Sequence, residues 1–205
     1  WSWGENIFAY AIAEVENNGH ENSLLDLLGK IPFSTNRRIR KIYSMSDLPD
    51  FSQTKKPSQN IKHSEVLGLL GPSWQRNSYK VINKIKNLIN RRPDNGCYIA
   101  AQQLGGEVNN SKEIETSFIH RDAIWKPWIN GSWAIGDTKS REKSLIWMQE
   151  CWSDLEFICP GVHLAQIHPH LSFHQKEISY AFKDWLPKLK HIKSVYDPDN
   201  IMPSL

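Results

Sequence analysis

Trp185-Leu186-Pro187-Lys188-Leu189-Lys190-His191-Ile192-Lys193-Ser194-Val195-Tyr196-Asp197-Pro198-Asp199-Asn200 is the stretch on which the fold turns. From Lys176 onward Ile178, Phe182, Trp185, Leu186, Leu189, Ile192 and Val195 recur at helical spacing. Pro187 interrupts that pattern, because it lacks an amide hydrogen and its ring clashes with the preceding turn of a helix. Two helices resolve the conflict. If Asp184 caps the second, Pro187 falls in its first turn, where the missing hydrogen costs little. The second helix then runs to about Tyr196 and ends at Asp197-Pro198, since the residue before a proline is biased towards extended geometry. Lys188 to Lys193 form its polar face.

Working back from this end, Lys139 to Phe157 reads as a helix with Leu145, Met148, Cys151, Trp152 and Leu155 on one side. Pro160-Gly161 closes it, and Val162 to Ile167 reads as a short strand. Ser117 to Trp133 mixes Phe118, Ile119, Ile124, Trp125, Trp128, Ile129 and Trp133 with polar residues, which predicts strands broken near Pro127. Cys97 to Leu104 reads as a buried strand ending at Gly105-Gly106. Val81, Ile82, Ile85, Leu88 and Ile89 make one stripe of a helix that covers a sheet. Towards the start, strands are expected over Asn6 to Val15 and Arg38 to Met45, a leucine-rich helix over Ser23 to Leu28, and a long loop from Asp47 to Ser64. This order predicts an α+β fold with a mainly antiparallel sheet and helices packed on one face.

The 205 residues suit a single domain over 1–205. Apolar residues at 40% and charged residues at 23%, with nine Trp, give the balance of a folded chain with an aromatic core. A net charge of +3 gives no electrostatic case for nucleic acid. The densest basic run, Arg37-Arg38-Ile39-Arg40-Lys41, reads as a solvated strand edge. No apolar stretch approaches the roughly 20 residues that span a bilayer, so no membrane partner is expected and the chain reads as soluble and, by default, cytoplasmic. Cys97, Cys151 and Cys159 form no CxxC pair and are expected as small buried hydrophobes. The opening at Trp1, running quickly into a strand-like segment, is expected of a piece of a longer protein.

Four stretches in order resemble the C-terminal half of the berberine bridge enzyme-like flavoproteins: Gln103-Leu104-Gly105-Gly106, then Phe118-Ile119-His120-Arg121-Asp122-Ala123, then Trp133 with the helix from Lys139 to Leu155, and last Trp185 to Asn200. The resemblance spans about Leu67 to Asn200; residues 1–66 match it only in element order. It implies a substrate domain whose antiparallel sheet roofs a flavin ring, with an upstream FAD-binding domain as partner, FAD as a cofactor bound mainly by that domain, and a small organic substrate. The implied chemistry is hydride transfer from substrate to flavin, with reoxidation by dioxygen in many members of the family, often aided by a base on the roofing sheet. Gly105-Gly106 is not read as a dinucleotide cradle, because no helix start follows it.

Where the plant members of that family carry a catalytic glutamate, this chain has Lys126-Pro127-Trp128, and proline neither accepts nor donates a proton. Where relatives carry a Tyr-x-Asn-Tyr pattern, it has His163-Leu164-Ala165-Gln166. His163 is therefore the candidate base, its ordinary pKa of about 6.5 suiting proton abstraction near neutrality; a satisfied strand histidine is the competing reading. Trp125, Lys126, Trp128 and Gln166 are the candidates to face substrate or flavin, although strand alternation must send some of the β-strand residues the other way. Asn200, in the resemblance's Asp-Pro-x-Asn stop, is a candidate cofactor contact. His163, His168, His170 and His174 lie close in sequence, but with no carboxylate or cysteine at ligand spacing no metal site is expected. The alternative function is a non-catalytic α+β binding domain that has lost the flavin chemistry.

Overall fold

A computed structural model describes residues 2–3, 7–31, 39–47, 62–106, 109 and 116–202. The chain expected to form one domain divides into two compact units, one of Trp1–Ala9 with Asn60–Leu205 and one of Tyr10–Gln59.

In the smaller unit helix α1 spans Asn18–Gly29, longer than the six residues expected because the Asn17 side chain caps it by accepting the His20 amide hydrogen at 3.0 Å. None of its residues is buried. Of the strand expected over Arg38 to Met45, Arg38 lies outside the described residues, residues 39–42 have no regular structure, and Met45–Asp47 is a single 3-10 turn. Lys41, from the basic run, pairs with Glu21 at 2.9 Å in place of edging a sheet. Arg37 and residues 48–61 of the long loop also lie outside the described residues.

The larger unit is built on a six-stranded sheet. Its strands are β1 (Ser2–Trp3), β2 (Ile7–Phe8), β3 (Lys62–Leu70), β4 (Tyr98–Gln103), β5 (Trp125–Ala134) and β6 (Gly161–Val162), in the order β2-β1-β4-β5-β3-β6. Every pairing is antiparallel. Of the strand expected over Asn6 to Val15, Ile7–Phe8 is present, and residues 9–16 have no regular secondary structure. The expected α+β fold with helices on one face is present. Leu67 and Leu69 of β3, Ile99 of β4 and Ile129 of β5 are fully buried beneath three helices, α2 (Ser78–Asn90), α3 (Thr138–Leu155) and α4 (His174–Phe182). Each such side chain contributes about 1.5–3 kcal/mol by leaving water.

The stripe of α2 buries Val81, Ile85, Leu88 and Ile89, whereas Ile82 faces solvent. In α3 the buried residues are Ser144, Trp147, Met148, Cys151, Trp152 and Leu155, with Leu145 only partly covered. Trp147 was not on the expected stripe; its indole Nε1 donates to the Leu88 carbonyl at 2.9 Å and so ties α3 to the end of α2. All three cysteines are free and buried.

The break expected at Pro127 is absent as a gap in β5. Pro127 lies within β5, opposite Ala101 of β4. Its effect appears on the other neighbour. Trp125 exchanges both backbone bonds with Gly71, at 3.0 Å each, so two residues on the missing N–H of Pro127 would have pointed at Leu69. The β3–β5 pairing accordingly runs from Lys62↔Ala134 to Gly68↔Trp128, lapses, and resumes at Gly71↔Trp125 in the same register. A proline in a central strand is tolerated because only one of its two ladders needs the lost hydrogen.

The strand expected over Val162 to Ile167 is two residues long and passes into a 3-10 turn at Leu164–Gln166. At the C-terminal end, α4 and α5 (Leu186–Tyr196) are separated by a 3-10 turn, Lys183–Trp185, in which Lys183 takes φ 44°. Pro187 lies in the first turn of α5 as expected, but the cap is Trp185 without a side-chain bond, not Asp184. Asp197 ends the helix, and its carboxylate accepts the amides of Ile201 at 2.7 Å and Met202 at 3.1 Å while pairing with Lys193.

Candidate functional site

The helices cover one face of the sheet; the opposite face carries the candidate residues. Ile129 points into the helical core, so alternation along β5 sends Lys126, Trp128 and Asn130 to the other side. Their cross-strand partners share that side: Gln102, Ala100 and Tyr98 on β4, and Gly68 and Val66 on β3. Pro127 belongs to the helix side with Ile129.

Gly68 positions the remaining two candidates. The His163 amide donates to the Gly68 carbonyl at 2.9 Å, and the following 3-10 turn, closed by the Gln166 amide on the His163 carbonyl at 3.1 Å, folds back over the strand. A Cβ on Gly68 would collide with Gln166 Oε1 and lie 3.1 Å from His163 Cβ. The missing side chain is thus what lets His163 and Gln166 lie against the open face.

Lys126 is 8% exposed and its ammonium sits 5.1 Å from the Trp128 ring. Among the described residues it has no carboxylate partner. Loss of solvent holds its pKa below the ordinary lysine value. His163 is half-buried, and its pKa is depressed first by loss of solvent and then by the positive charge of Lys126, so its imidazole is neutral near pH 7. Burial pushes the Tyr98 phenol up. Three buried polar atoms on or over this face lack a hydrogen-bond partner: Trp128 Nε1, His163 Nδ1 and Gln166 Oε1. A donor, a ring nitrogen and an acceptor are thus left unmatched on this side of the sheet.

Lys126, Trp128, His163 and Gln166 therefore come together. Trp125 and Asn200 do not join them. Trp125 shares the alternation of Ile129 and stacks on Trp74 at 5.5 Å, a ring packed against the core. Asn200 is exposed in the turn after α5 with φ 52°, a left-handed conformation asparagine tolerates better than most residues, and its amide donates to the Asp197 carbonyl at 3.1 Å. The segment expected as a strand around His120 is a loop. His120 is buried, its Nε2 donates to the Tyr180 carbonyl at 2.9 Å, and its ring fills the space beside Gly161.

Sequence spacing missed Gly68, Tyr98, Gln102 and Asn130; only the alternation of β3, β4 and β5, once their register is known, finds them. It also missed the carboxylates among the clustered histidines. His168 Nδ1 lies 2.6 Å from fully buried Glu177 and its Nε2 lies 3.4 Å from Glu65, which also holds His170 at 2.9 Å. This network fastens the 3-10 turn and its following loop to β3 and α4. Among the described residues no group of three or more histidine, cysteine or acidic side chains is arranged to hold a metal ion.

No family model and no curated protein sequence matches the chain. Solved structures do. BBE-like 1 of Physcomitrella patens superposes with a TM-score of 0.55 at 16% identity, covering 73% of this chain and 30% of its own. CrmK, a flavoenzyme of caerulomycin biosynthesis, gives a TM-score of 0.55 at 18% identity over 69% of this chain and 31% of its own. The fold is that of the C-terminal part of berberine bridge enzyme-like FAD-linked oxidases. Berberine bridge enzyme from Eschscholzia californica itself matches with a TM-score of 0.50 at 14% identity, over 73% of this chain and 33% of its own. This chain spans about a third of the length of the berberine bridge enzyme-like structures it matches. Among the described residues no helix is long and apolar enough to cross a membrane.

Proposed function

We propose that this chain is the substrate-covering domain of an FAD-dependent oxidoreductase, with an upstream FAD-binding domain as its partner. The observation that carries the reading is the open sheet face, where Trp128 Nε1, His163 Nδ1 and Gln166 Oε1 are buried and unmatched opposite a helix-packed core of berberine bridge enzyme-like fold.

The residues present fit a roof over a flavin ring. Trp128 offers an aromatic face and Lys126 a positive charge beside it. Gly105 and Gly106 have φ 122° and 63°, positive backbone angles that glycine adopts freely. When bound, FAD supplies the hydride acceptor. The chain's own part is to orient the substrate and handle its proton. His163, neutral because it is desolvated and lies near Lys126, takes the substrate proton at Nδ1. Lys126 keeps that nitrogen from being protonated by solvent beforehand. Trp128 Nε1–H and Gln166 Oε1 hold polar groups of a small organic substrate.

Co-expression with the coding sequence upstream of Trp1 tests this. The expected product is yellow and is bleached by an organic substrate in the absence of air, and His163→Gln keeps the colour but bleaches at least about 100-fold more slowly, the usual scale for losing a positioned base. A folded but colourless product overturns the reading in favour of a binding domain without flavin chemistry.

A further inference from the structure

We infer that the ligand of the open face is an organic anion, a carboxylate carried on a planar unsaturated skeleton. The inference rests on reading this face as the substrate side, and it adds the substrate's charge class.

Among the described residues the charge of Lys126 meets no acid. The stem of Lys126 is covered while its ammonium still reaches solvent, so its positive charge is open to a counter-charge brought by a ligand. Lys126 is 8% exposed, and the residues that share its face from the two neighbouring strands include Leu70, Gly68 and Val66 on β3 and Tyr98, Ala100 and Gln102 on β4, with Trp128 and Asn130 on its own. None of these is acidic. Glu65, the nearest acid in β3, lies on the alternate face position, where it is engaged by His168 and His170. The two histidine-bound carboxylates of the larger unit are thus committed elsewhere.

The unmatched atoms then specify where the anion goes. A carboxylate accepts from two donors at once, and Lys126 Nζ with Trp128 Nε1–H is such a pair, the ammonium sitting over the indole ring. The indole face beside them receives a flat skeleton. Gln166 Oε1 and His163 Nδ1 accept, so they suit a hydroxyl or N–H at the ligand's other end and repel a second carboxylate. A single ammonium with one N–H donor suits a monoanion better than a phosphate dianion.

The test uses the 205-residue chain and two probes of matched shape, naphthoate and naphthamide, titrated while the indole N–H resonance of Trp128 is followed by NMR. Naphthoate is expected to bind about ten-fold or more tightly than the amide, a difference that Lys126→Arg keeps and Lys126→Met abolishes. Lys126→Met keeps the covered apolar stem and removes only the charge, so the variant is expected to fold with a thermal midpoint close to the parent's; Lys126→Gln provides a second neutral variant. Equal binding of the two probes, a preference that survives Lys126→Met and Lys126→Gln, or no binding of naphthoate overturns the inference. The readout needs no flavin, so a preference for the anion in a protein that never turns yellow separates the failure of the oxidoreductase reading from that of this one.

Discussion

Two buried glycines in one segment, Gly68 and Gly71, separate what holds the sheet from what shapes its open face. A Cβ at Gly71 would strike the Ile158 carbonyl oxygen and lie 3.2 Å from Cys159 Cα, both backbone atoms of the segment that follows α3. Gly71 cannot retreat, because its amide donates to the Trp125 carbonyl at 3.0 Å and its own carbonyl accepts from Ile124 at 2.9 Å and Trp125 at 3.0 Å. Overpacking of this kind costs about 1–3 kcal/mol, and with backbone on both sides the upper end applies. Gly→Ala returns about 0.4–1 kcal/mol through the unfolded chain, since neither glycine has a left-handed φ. The net loss for Gly71→Ala is about 2 kcal/mol, or about 4–8 °C in thermal midpoint for a chain of this size. At Gly68 the Cβ meets the far end of the Gln166 side chain, which can rotate away, and His163 Cβ at 3.1 Å, which has only to shift slightly, so Gly68→Ala is expected to cost less than Gly71→Ala, about 1 kcal/mol. Urea unfolding followed by tryptophan fluorescence and circular dichroism measures both. Gly68→Ala is also expected to weaken ligand binding on the open face, because Gln166 leaves it. Equal losses of stability in the two variants would refute the distinction between rigid and movable neighbours.

Acid is expected to destabilise the fold. His120 and His163 both have pKa values depressed chiefly by loss of solvent, so below their unfolded value of about 6.5 the unfolded chain binds protons that the folded chain does not. Stability is present above that pH and is lost as pH falls towards the folded values; the drop in thermal midpoint between pH 8 and pH 5.5 is expected to shrink in His163→Gln, and an unchanged drop would show that His163 takes no part. At the other end of the larger unit, Asp197→Ala removes the acceptor of two amides, so hydrogen exchange at Ile201 and Met202 should quicken while that of β5 stays unchanged. Unaltered exchange at those two amides would show that the carboxylate does not hold the closing turn.

What sequence determined was scaffold. The helical stripes of α2 and α3, the proline in the first turn of α5, the stop at Asp197-Pro198 and the antiparallel sheet under one layer of helices all follow from periods and backbone restrictions that act within a few residues. It also named four of the residues that meet on the open face, Lys126, Trp128, His163 and Gln166, through a resemblance of motifs. It did not separate them from Trp125, since alternation fixes which residues share a face but not which face meets the helices; the burial of Ile129 beneath α2 and α3 decides that. Nor did it show why Pro127 is tolerated, which depends on the pairing of β5 with β3 on one side and β4 on the other. His163 lay in an expected strand and is carried instead at the entrance to a 3-10 turn, held on β3 by a glycine almost a hundred residues earlier. A glycine carries no pattern of its own. Its role here is the space it leaves, and only tertiary structure shows what fills it: His163 and Gln166 brought against Lys126 and Trp128, with their polar atoms still unmatched.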